Sequence, residues 1–343
     1  MSETHSRLTI AIPTYNRPEA LARTLRSLKP QLERFPDVSV VILDNHSDVP
    51  VKAGLAKLPE LSEFVGAVLR NPYNLRPSGN FMRCFECCEA GWLWILADDD
   101  EVRDDAIESI LSGCRGKQDF AAVVFRLQLG ERIVPECQRA DGTQTGQSAA
   151  DWFSAFGYDL GPAIYLSATV YNMRFLQSYL TYGYLTMSSL ASYLGVLLKA
   201  LEEGHRFVCE HATIVRYHLA PDGETFSRFG LLDLLPVLRI VLDRPASLAA
   251  FNLTMRRSWK RLHARVALLS VNSHGLRRSS FSLLAYRDFQ MRKAVCSPFF
   301  AEGPSDWLLW QVFSGLILFP RLLVGLMGFT RLAALNDCGR DRL

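Results

Sequence analysis

The sequence predicts an α/β fold with a mostly parallel central sheet flanked by helices, and three observations predict it. Short apolar runs alternate with segments of helical periodicity over the first 130 residues. Such alternation is typical of parallel strands joined by crossover helices. Several of the apolar runs end in clusters of polar residues. Apolar residues make up 49% of the chain and charged residues 21%, which favours a large core over disorder.

The first elements follow from patterns near the N-terminus. Residues 8–12 form an apolar, β-branched run closed by Pro13, and they predict a buried strand. Residues 18–32 repeat leucine at helical spacing, and Asn16 is positioned to cap that helix. The run "VSVVIL" at residues 38–43 predicts the second strand.

The alternation continues to residue 129. Short, continuous apolar runs predict the next strands, and helical spacing predicts the segments between them. These strands are residues 64–70, 92–97 and 120–129. The helices are residues 50–57, 80–90 and 104–112. The stretch "NPYNLRPSGN" before the second of these helices is rich in turn-forming residues.

Beyond residue 130 the pattern is looser. Residues 131–160 are rich in loop-forming residues, and residues 187–203 predict a long helix that ends at Gly204. Further short strands are predicted at residues 165–171, 207–210 and 213–218. From about residue 225 the pattern is helical to the C-terminus.

Polar clusters follow three of the predicted strands: "PTYNR" the first, "DNHSD" the second and "DDDE" the fourth. Ligands of parallel α/β sheets bind outside the carboxyl ends of the strands, so the three clusters predict one site. The crowded carboxylates of Asp98, Asp99 and Asp100 favour either a divalent cation or the start of a solvated helix. Glycine-rich dinucleotide and P-loop patterns are absent, which excludes those two classes of nucleotide site.

Charge is distributed unevenly, although the net formal charge is only +3. Residues 1–250 carry 24 basic and 30 acidic side chains, whereas residues 251–343 carry 14 and 5. A basic C-terminal part favours phosphate-bearing partners, either a lipid surface or nucleic acid. Because no nucleic-acid module is recognisable, the sequence favours the lipid surface.

The N-terminus has no pattern of a secretory signal, which predicts a cytoplasmic protein with reduced cysteines. Cys84, Cys87 and Cys88 resemble half of a zinc site, but no second ligand pair follows at the required spacing. We interpret them as helical residues that pack as small apolar side chains.

The C-terminal region carries two membrane-related patterns. Residues 255–269 place arginines along one stripe and apolar side chains along another, which is typical of a helix on an acidic lipid surface. Residues 307–320 are an uncharged run of 14, shorter than the about 20 that a span needs. Residues 307–329 give a run of 23, but this longer run includes Pro320 and Arg321. A monotopic helix or hairpin is therefore favoured over a spanning helix. A spanning helix, a soluble surface helix and a buried helix pair stay open.

Three stretches resemble the GT-A-fold glycosyltransferases of family 2: "TIAIPTYNRPEALARTLRSL", "VSVVILDNHSD" and "GWLWILADDDEVRDDAI". They stand in that family's order and spacing over about residues 8–110. The later "LLKALEEGHRFVCE" resembles the helix, glycine and strand near the end of that domain. "NLRPSGNFMRC" followed by "WILADDD" resembles bacterial O-antigen enzymes of the abequosyltransferase kind.

The resemblance implies a nucleotide-sugar donor with Mg²⁺ or Mn²⁺ as cofactor. The residues it implies beside the base and ribose are Pro13, Thr14, Tyr15 and Arg17. It implies that Asp44 contacts the base, that Asp98 faces ribose or metal, and that Asp99 and Asp100 bind the metal. Independently, a leaving diphosphate gains charge as the glycosidic bond breaks, and a cation held by one or two carboxylates stabilises it.

Three further side chains are candidates from their position. Arg76 and Asn80 are predicted to contact the donor, or else to serve as loop and cap residues. His218 follows the run "TIVRY" and is predicted as a third metal ligand or a phosphate contact, with a structural role as the alternative.

One departure from the family pattern concerns the catalytic base. Inverting members usually carry a Glu-Asp pair before the glycine turn, where this chain has Ser192 and Tyr193. A general base must lie within hydrogen-bond reach of the hydroxyl that it deprotonates. Three outcomes stay open: a base from elsewhere, with Asp159 the first candidate, a retaining enzyme, or an inactive protein.

The sequence therefore predicts a metal-assisted transferase that moves a sugar from a nucleotide-sugar donor to a hydroxyl. The predicted acceptor is a glycan or a polyprenyl-diphosphate-linked precursor of a surface polysaccharide. Residues 1–222 are predicted to form the GT-A domain, and residues 223–343 a helical region, peripheral or monotopic at the inner face of the cytoplasmic membrane. An inactive GT-A scaffold at the membrane and a nucleotidyltransferase are the alternatives.

Overall fold

The computed structural model describes residues 8–88, 91–129, 131–134, 144–217 and 235–271. The chain divides into two compact units. The first comprises residues 1–219 and 234–254, and the second residues 220–233 and 255–343. All strands that the structure describes belong to the first unit. The predicted domain boundary at residue 222 stays a prediction.

Strands and helices alternate in the N-terminal part, as the sequence predicts. The elements are β1 (Leu8–Thr14), α1 (Pro18–Leu32), β2 (Ser39–Asp44), α2 (Val51–Leu55), α3 (Pro59–Ser62), β3 (Ala67–Arg70), α4 (Arg76–Glu86), β4 (Trp92–Ile95), β5 (Glu101–Val102) and α5 (Ala106–Cys114). This part of the chain forms successive strand–helix units.

The rest of the described chain completes the sheet and covers it. Its strands are β6 (Phe120–Leu129), β7 (Arg132–Val134), β8 (Gln144–Gly146), β9 (Thr169–Asn172) and β10 (Arg206–Tyr217). Its helices are α6 (Ala149–Ala155), α7 (Leu160–Ala163), α8 (Met173–Leu176), α9 (Leu180–Leu185), α10 (Ser192–Glu202) and α11 (Pro245–Val271). Turns of 3₁₀-helix lie at Leu166–Ala168, Gln177–Tyr179, Met187–Ser189 and Leu235–Val241.

The sheet has the strand order β3-β2-β1-β4-β9-β6-β10-β5, with β7 paired to β6 and β8 to β10. Strands β3, β2, β1 and β4 are all parallel, which agrees with the prediction. Strand β9 then runs antiparallel between β4 and β6, and β5, β7 and β8 also pair in antiparallel fashion. The second half of the sheet is therefore mixed.

The core lies on both faces of the parallel half. All four residues of β4, from Trp92 to Ile95, are buried, as expected for a central strand covered on both sides. Helix α1 packs with its predicted apolar stripe buried, consisting of Leu21, Leu25, Leu28 and Leu32. Each such leucine contributes about 1.5–3 kcal/mol by leaving water.

Some element bounds differ from the prediction for local reasons. Helix α4 begins at Arg76 rather than at residue 80, because Pro77 fits a first turn that needs no backbone donor there. Leu190 has φ 60°, and this left-handed residue separates a 3₁₀ turn from α10. The two strands predicted near residue 210 form the single strand β10, whose register against β6 shifts between Cys209 and Thr213.

Candidate functional site

Three loops meet where the parallel strands β1, β2 and β4 end. We call them the first loop (residues 13–17), the second loop (residues 44–48) and the acidic loop (residues 98–101). The backbone amide of Asn45 donates to the Thr14 carbonyl over 2.9 Å, which joins the first two loops. The amide of Leu96 donates to the Ala11 carbonyl over 3.0 Å, which aligns the end of β4 with β1.

Side chains of the first loop hold the acidic loop. The Thr14 hydroxyl donates to Asp98 Oδ2 over 2.6 Å. One nitrogen of Arg17 lies 2.8 Å from Asp99 Oδ2 and 3.3 Å from Asp98 Oδ1. This guanidinium offsets part of the repulsion between the two carboxylates. Helix α5 begins only at Ala106, so the crowded acids do not form a helix start.

Burial controls the protonation of the acidic loop. Asp98 and Asp100 are each 6% exposed, whereas the Asp99 side chain is 28% exposed. Burial raises the pKa of Asp98 to about 6, against a hydrogen bond from Thr14 that lowers it. Burial also raises the pKa of Asp100 to about 7, with the charges of the other two aspartates adding to the rise. Asp99 is thus the most accessible carboxylate of the three.

Ser167 supports the acidic loop from a distant part of the sequence. Its hydroxyl oxygen accepts from the Ala97 amide over 2.9 Å, and its hydrogen bond to Asp100 lowers the pKa of that carboxyl. The Ser167 carbonyl accepts from the Trp94 indole over 2.9 Å. Asp100 Oδ1 has no hydrogen-bond partner within the described part of the chain. No sequence signal marked Ser167, because only tertiary packing brings it here.

The Asp44 carboxylate has hydrogen-bond partners both inside and outside the second loop. It is 1% exposed, and its carboxylate accepts from the amides of Ser47 over 2.8 Å and Val51 over 3.2 Å. Arg70 donates to it over 2.7 Å. Burial raises its pKa, but these hydrogen bonds prevail and the pKa is lowered overall. The predicted contact between Asp44 and a base stays a prediction, whereas its bonds within the loop are visible.

An asparagine network fixes the segment that follows β3. Asn45 donates to Asn74 Oδ1 over 2.9 Å, and Asn71 donates to Asn45 Oδ1 over 3.0 Å. Asn80 accepts from Asn71 over 2.9 Å and donates to the Leu43 carbonyl over 2.9 Å. Both polar ends of the Asn80 side chain therefore have protein partners. Its predicted donor contact stays untested, and what is visible is a bridge between α4 and β2.

The remaining predicted residues of the cleft differ in accessibility. Pro13 is a buried residue at the end of β1, whereas Tyr15 is 41% exposed in the middle of the first loop. The Arg76 side chain is exposed, and the residue has φ 60°. Asn16 has φ 54° and links the first two loops, because its side-chain Oδ1 accepts from the Asp48 amide over 2.8 Å. The sequence predicts Asn16 as the cap of α1, but that prediction is wrong, because Arg17 occupies the cap position and makes no side-chain capping bond.

The residues discussed for the catalytic base have structural contacts. Asp159 caps α7, where its Oδ1 accepts from the Gly161 amide over 3.2 Å. The Ser192 hydroxyl donates to the Ser78 carbonyl over 3.0 Å, and the Tyr193 hydroxyl donates to the Ile164 carbonyl over 2.5 Å. At the place where inverting family members carry an acid pair, this chain thus has two hydroxyl side chains that donate hydrogen bonds to the backbone of other segments.

Two predictions fall on other parts of the chain. His218 and residues 307–329 lie outside the described residues. Among the residues that are described, no three His, Cys, Asp or Glu side chains converge as a metal cluster. In the same residues, no helix is both long and apolar enough to cross a membrane.

Comparison with solved structures identifies the fold. The chain is similar to S. aureus TarS 1-349, with a TM-score of 0.56, 14% identity, and coverage of 78% of this chain and 75% of that chain. It is also similar to the mannosyltransferase PcManGT from Pyrobaculum calidifontis, solved with GDP-Man and Mn2+. There the TM-score is 0.52 and the identity 12%, over 94% and 88% of the two chains. The predicted GT-A fold is confirmed.

Comparison of sequences finds relatives for part of the chain. The abequosyltransferase RfbV of Salmonella typhimurium is 29% identical over 29% of this chain and 30% of its own length. The GalNAc(5)-diNAcBac-PP-undecaprenol beta-1,3-glucosyltransferase of Campylobacter jejuni is 24% identical over 31% of this chain and 33% of its own length. The chain thus spans about a third of the length of these relatives. Residues 9–132 match the family described as Glycosyl transferase family 2.

Proposed function

We propose that the protein transfers a sugar from a nucleotide-sugar donor to a hydroxyl of a lipid-linked or cell-surface polysaccharide precursor. One observation carries the proposal: the acidic loop lies beside the first loop at the carboxyl ends of adjacent parallel strands, with Arg17 2.8 Å from Asp99. The family assignment of residues 9–132 supports it. In the reaction, the bond between the anomeric carbon and the diphosphate breaks, and a bond to the acceptor oxygen forms.

The oxygen atoms of the acidic loop fit a hard divalent cation. Mg²⁺ and Mn²⁺ prefer carboxylate oxygens, and Asp99 presents one that is accessible beside the buried Asp98. One or two carboxylates suffice where a diphosphate supplies further ligands. A cation bound by Asp99, with Asp98 or Asp100, would neutralise the charge that develops on the leaving diphosphate.

The chain's own residues perform the other tasks. Thr14 holds the Asp98 carboxylate in place through its 2.6 Å hydrogen bond, so the acidic loop stays oriented toward the donor. The Arg17 guanidinium supplies a fixed positive charge at the same place. The acceptor proton needs a base, and Asp159 stays the proposed candidate on its position in the sequence. Whether the reaction inverts or retains the configuration of the anomeric carbon depends on whether such a base deprotonates the acceptor hydroxyl.

The acceptor is proposed from chemistry and from the relatives. The Campylobacter relative's name specifies a diphosphate-linked undecaprenol substrate, and RfbV is an abequosyltransferase. An acceptor of the lipid-linked kind would place the protein peripherally at the inner face of the membrane. The basic residues of the C-terminal region suit such a surface.

Thermal stability tests the donor site directly. Purified protein is heated with UDP-, GDP-, CDP- and dTDP-sugars, each with and without Mn²⁺. A ligand at 100 times its dissociation constant adds about 2.7 kcal/mol to the stability of the folded state, which is a readable shift. We expect a shift with one nucleotide, dependent on Mn²⁺ and lost in Asp99→Asn. The matched control is Asp119→Asn, whose side chain is 73% exposed on a surface ion pair.

A second candidate is a GT-A scaffold without transferase activity. One observation favours it. Ser192 and Tyr193 stand where inverting enzymes carry an acid pair, and both hydroxyls donate hydrogen bonds to backbone carbonyls. Release of nucleoside diphosphate from the bound donor in the presence of a cell-envelope lipid extract, abolished by Asp99→Asn, would exclude the scaffold. Binding of the donor without any turnover across such extracts would favour it over the enzyme.

A further inference from the structure

Helix α1 carries a polar stripe beside its leucine face, in which two side chains are buried and one is partly buried. The stripe consists of Thr24, Ser27 and Gln31, whose spacing places them on one side of the helix. Thr24 is 1% exposed and Gln31 is 2% exposed. Burial of a polar side chain costs free energy unless the side chain is hydrogen-bonded, so the partners of these side chains show what they hold in place.

Thr24 contacts the main chain of the acidic loop at two points. Its hydroxyl lies 2.9 Å from the carbonyl oxygen of Asp98 and 2.8 Å from that of Asp100. A hydroxyl has one hydrogen, which the two carbonyls therefore share. Because both carbonyls face one atom, the chain turns between them at Asp99. The position of the Asp99 backbone thus depends on a side chain of α1.

The other two members of the stripe hold the continuation of the loop. The Ser27 hydroxyl oxygen accepts from the Val102 amide over 3.1 Å. Gln31 donates to the Arg103 carbonyl over 2.7 Å and accepts from the Ile107 amide over 2.9 Å. The cap residue of α5 makes no side-chain capping bond of its own, so Gln31 satisfies an amide of its first turn.

We propose that Thr24 is a positioning residue of the donor site, with Ser27 and Gln31 extending its support along the acidic loop. Helix α1 begins directly after Arg17, so one rigid element carries both Arg17 and the support of Asp99. The distance between the Arg17 guanidinium and the Asp99 carboxylate is then set by α1 rather than by the acidic loop. This inference rests on the proposed function, in which the acidic loop holds the donor diphosphate and its cation.

The experiment compares Thr24→Val, which removes the hydroxyl at nearly constant volume, with Thr24→Ser, which keeps it. The matched control is Thr254→Val, because Thr254 is a fully buried threonine whose hydroxyl donates to the Ala250 carbonyl over 2.9 Å within α11. Hydrogen exchange of peptides covering residues 96–104 is measured on each protein without ligand. The dissociation constants of UDP, GDP, CDP and dTDP are measured with Mn²⁺ by calorimetry.

We expect Thr24→Val to speed exchange of residues 96–104 about fivefold, the factor that a typical hydrogen bond provides, with β1 and β2 unchanged. We expect it to weaken binding of the preferred nucleotide about tenfold, or about 1.4 kcal/mol. Thr24→Ser and Thr254→Val are expected to match the wild type in both measurements. Such a pattern separates positioning from a general loss of stability.

Three results would overturn the inference: faster exchange throughout the chain in Thr24→Val, equal effects of the valine and serine variants, or unchanged nucleotide binding. Failure of the proposed function is a different result. In that case the wild type binds none of the four nucleotides, and the exchange rates alone decide whether Thr24 holds the loop.

Discussion

Arg17 forms an ion pair with Asp99 over 2.8 Å, while the same nitrogen lies 3.3 Å from Asp98. The Arg17 and Asp99 side chains are 40% and 28% exposed, so solvent screens the pair and its net contribution to stability is small. Its functional consequence is larger. A guanidinium at this position competes with any divalent cation for the same carboxylate oxygens.

Removal of Arg17 should therefore strengthen cation binding. In Arg17→Met, we expect the midpoint of a Mn²⁺ titration, followed by thermal shift, to move to lower concentration. The control is Arg34→Met, which breaks a surface pair with Glu108 just beyond the end of α1. An unchanged midpoint in Arg17→Met would show that guanidinium and cation do not share these oxygens.

Asp100 should make stability depend on pH. Its folded-state pKa is raised to about 7 by burial, above the unfolded value of about 3.9, so the folded state binds the extra proton between these values. The contribution of Asp100 to the free energy of unfolding therefore declines as pH rises through this window. Asp100→Asn carries no such charge, so its stability relative to wild type should increase from pH 4 to pH 8 by more than about 1 kcal/mol.

Urea unfolding in EDTA at several pH values measures this difference, because EDTA removes cations that would stabilise the ionised acid. The control is Asp119→Asn, which removes a carboxylate from the exposed surface. A constant difference between Asp100→Asn and wild type would contradict the burial argument.

Asn16 should tolerate glycine better than alanine. Its φ of 54° is a left-handed conformation, which costs most residues about 1–2 kcal/mol but costs glycine little. Both variants lose the side-chain bonds to Asp48, so those losses cancel in the comparison. We expect Asn16→Ala to be less stable than Asn16→Gly by about 1 kcal/mol in urea unfolding. Equal stabilities would mean that the loop relaxes to another conformation.

Glu202 should anchor the start of α11. Its Oε2 accepts from the amides of Asp243 and Arg244, each over 2.8 Å, and its Oε1 accepts from the Ser247 hydroxyl over 2.5 Å. An amide group offers one acceptor atom in place of two, so Glu202→Gln leaves at least one donor unpaired. We expect a loss of about 1–3 kcal/mol in urea unfolding.

Glu203→Gln is the matched control, because Glu203 is half exposed and its partner Lys199 also pairs with Asp243. A loss below about 0.5 kcal/mol is expected there. Similar losses in the two variants would show that the buried acceptor geometry of Glu202 is not what holds the helix.

The parallel half of the sheet was predictable because its signals are local. Apolar runs predicted β1, β2 and β4, and the polar residues after each run predicted the three loops of the candidate site. The polar stripe of α1 had a readable but overlooked signal: Thr24, Ser27 and Gln31 recur at helical spacing beside the leucines. Sequence reasoning did not single them out, since nothing local shows that a loop covers them.

The other features that the sequence did not predict depend on contacts between residues far apart in the chain. Ser167 reaches the acidic loop from 70 positions away, and no pattern around residue 167 marks that contact. The segment containing β9 reads as an ordinary apolar run, and its antiparallel direction depends on which strands flank it. Charge neutralisation by Arg17 was likewise invisible, because a sequence shows that an arginine is near but not which carboxylate it meets.

The insertion of β9 between β4 and β6 has a consequence for the order of folding. Trp92 of β4 pairs with Asn172 of β9, and Val124 of β6 pairs with Thr169, so neither junction closes until residues 169–172 have been synthesised. Contacts between such distant residues form slowly because a long loop must close first. A nascent or truncated chain that ends before residue 169 leaves two apolar strand edges unpaired, and unpaired edges recruit other chains. Productive synthesis of this protein therefore depends on the prompt arrival of one four-residue strand.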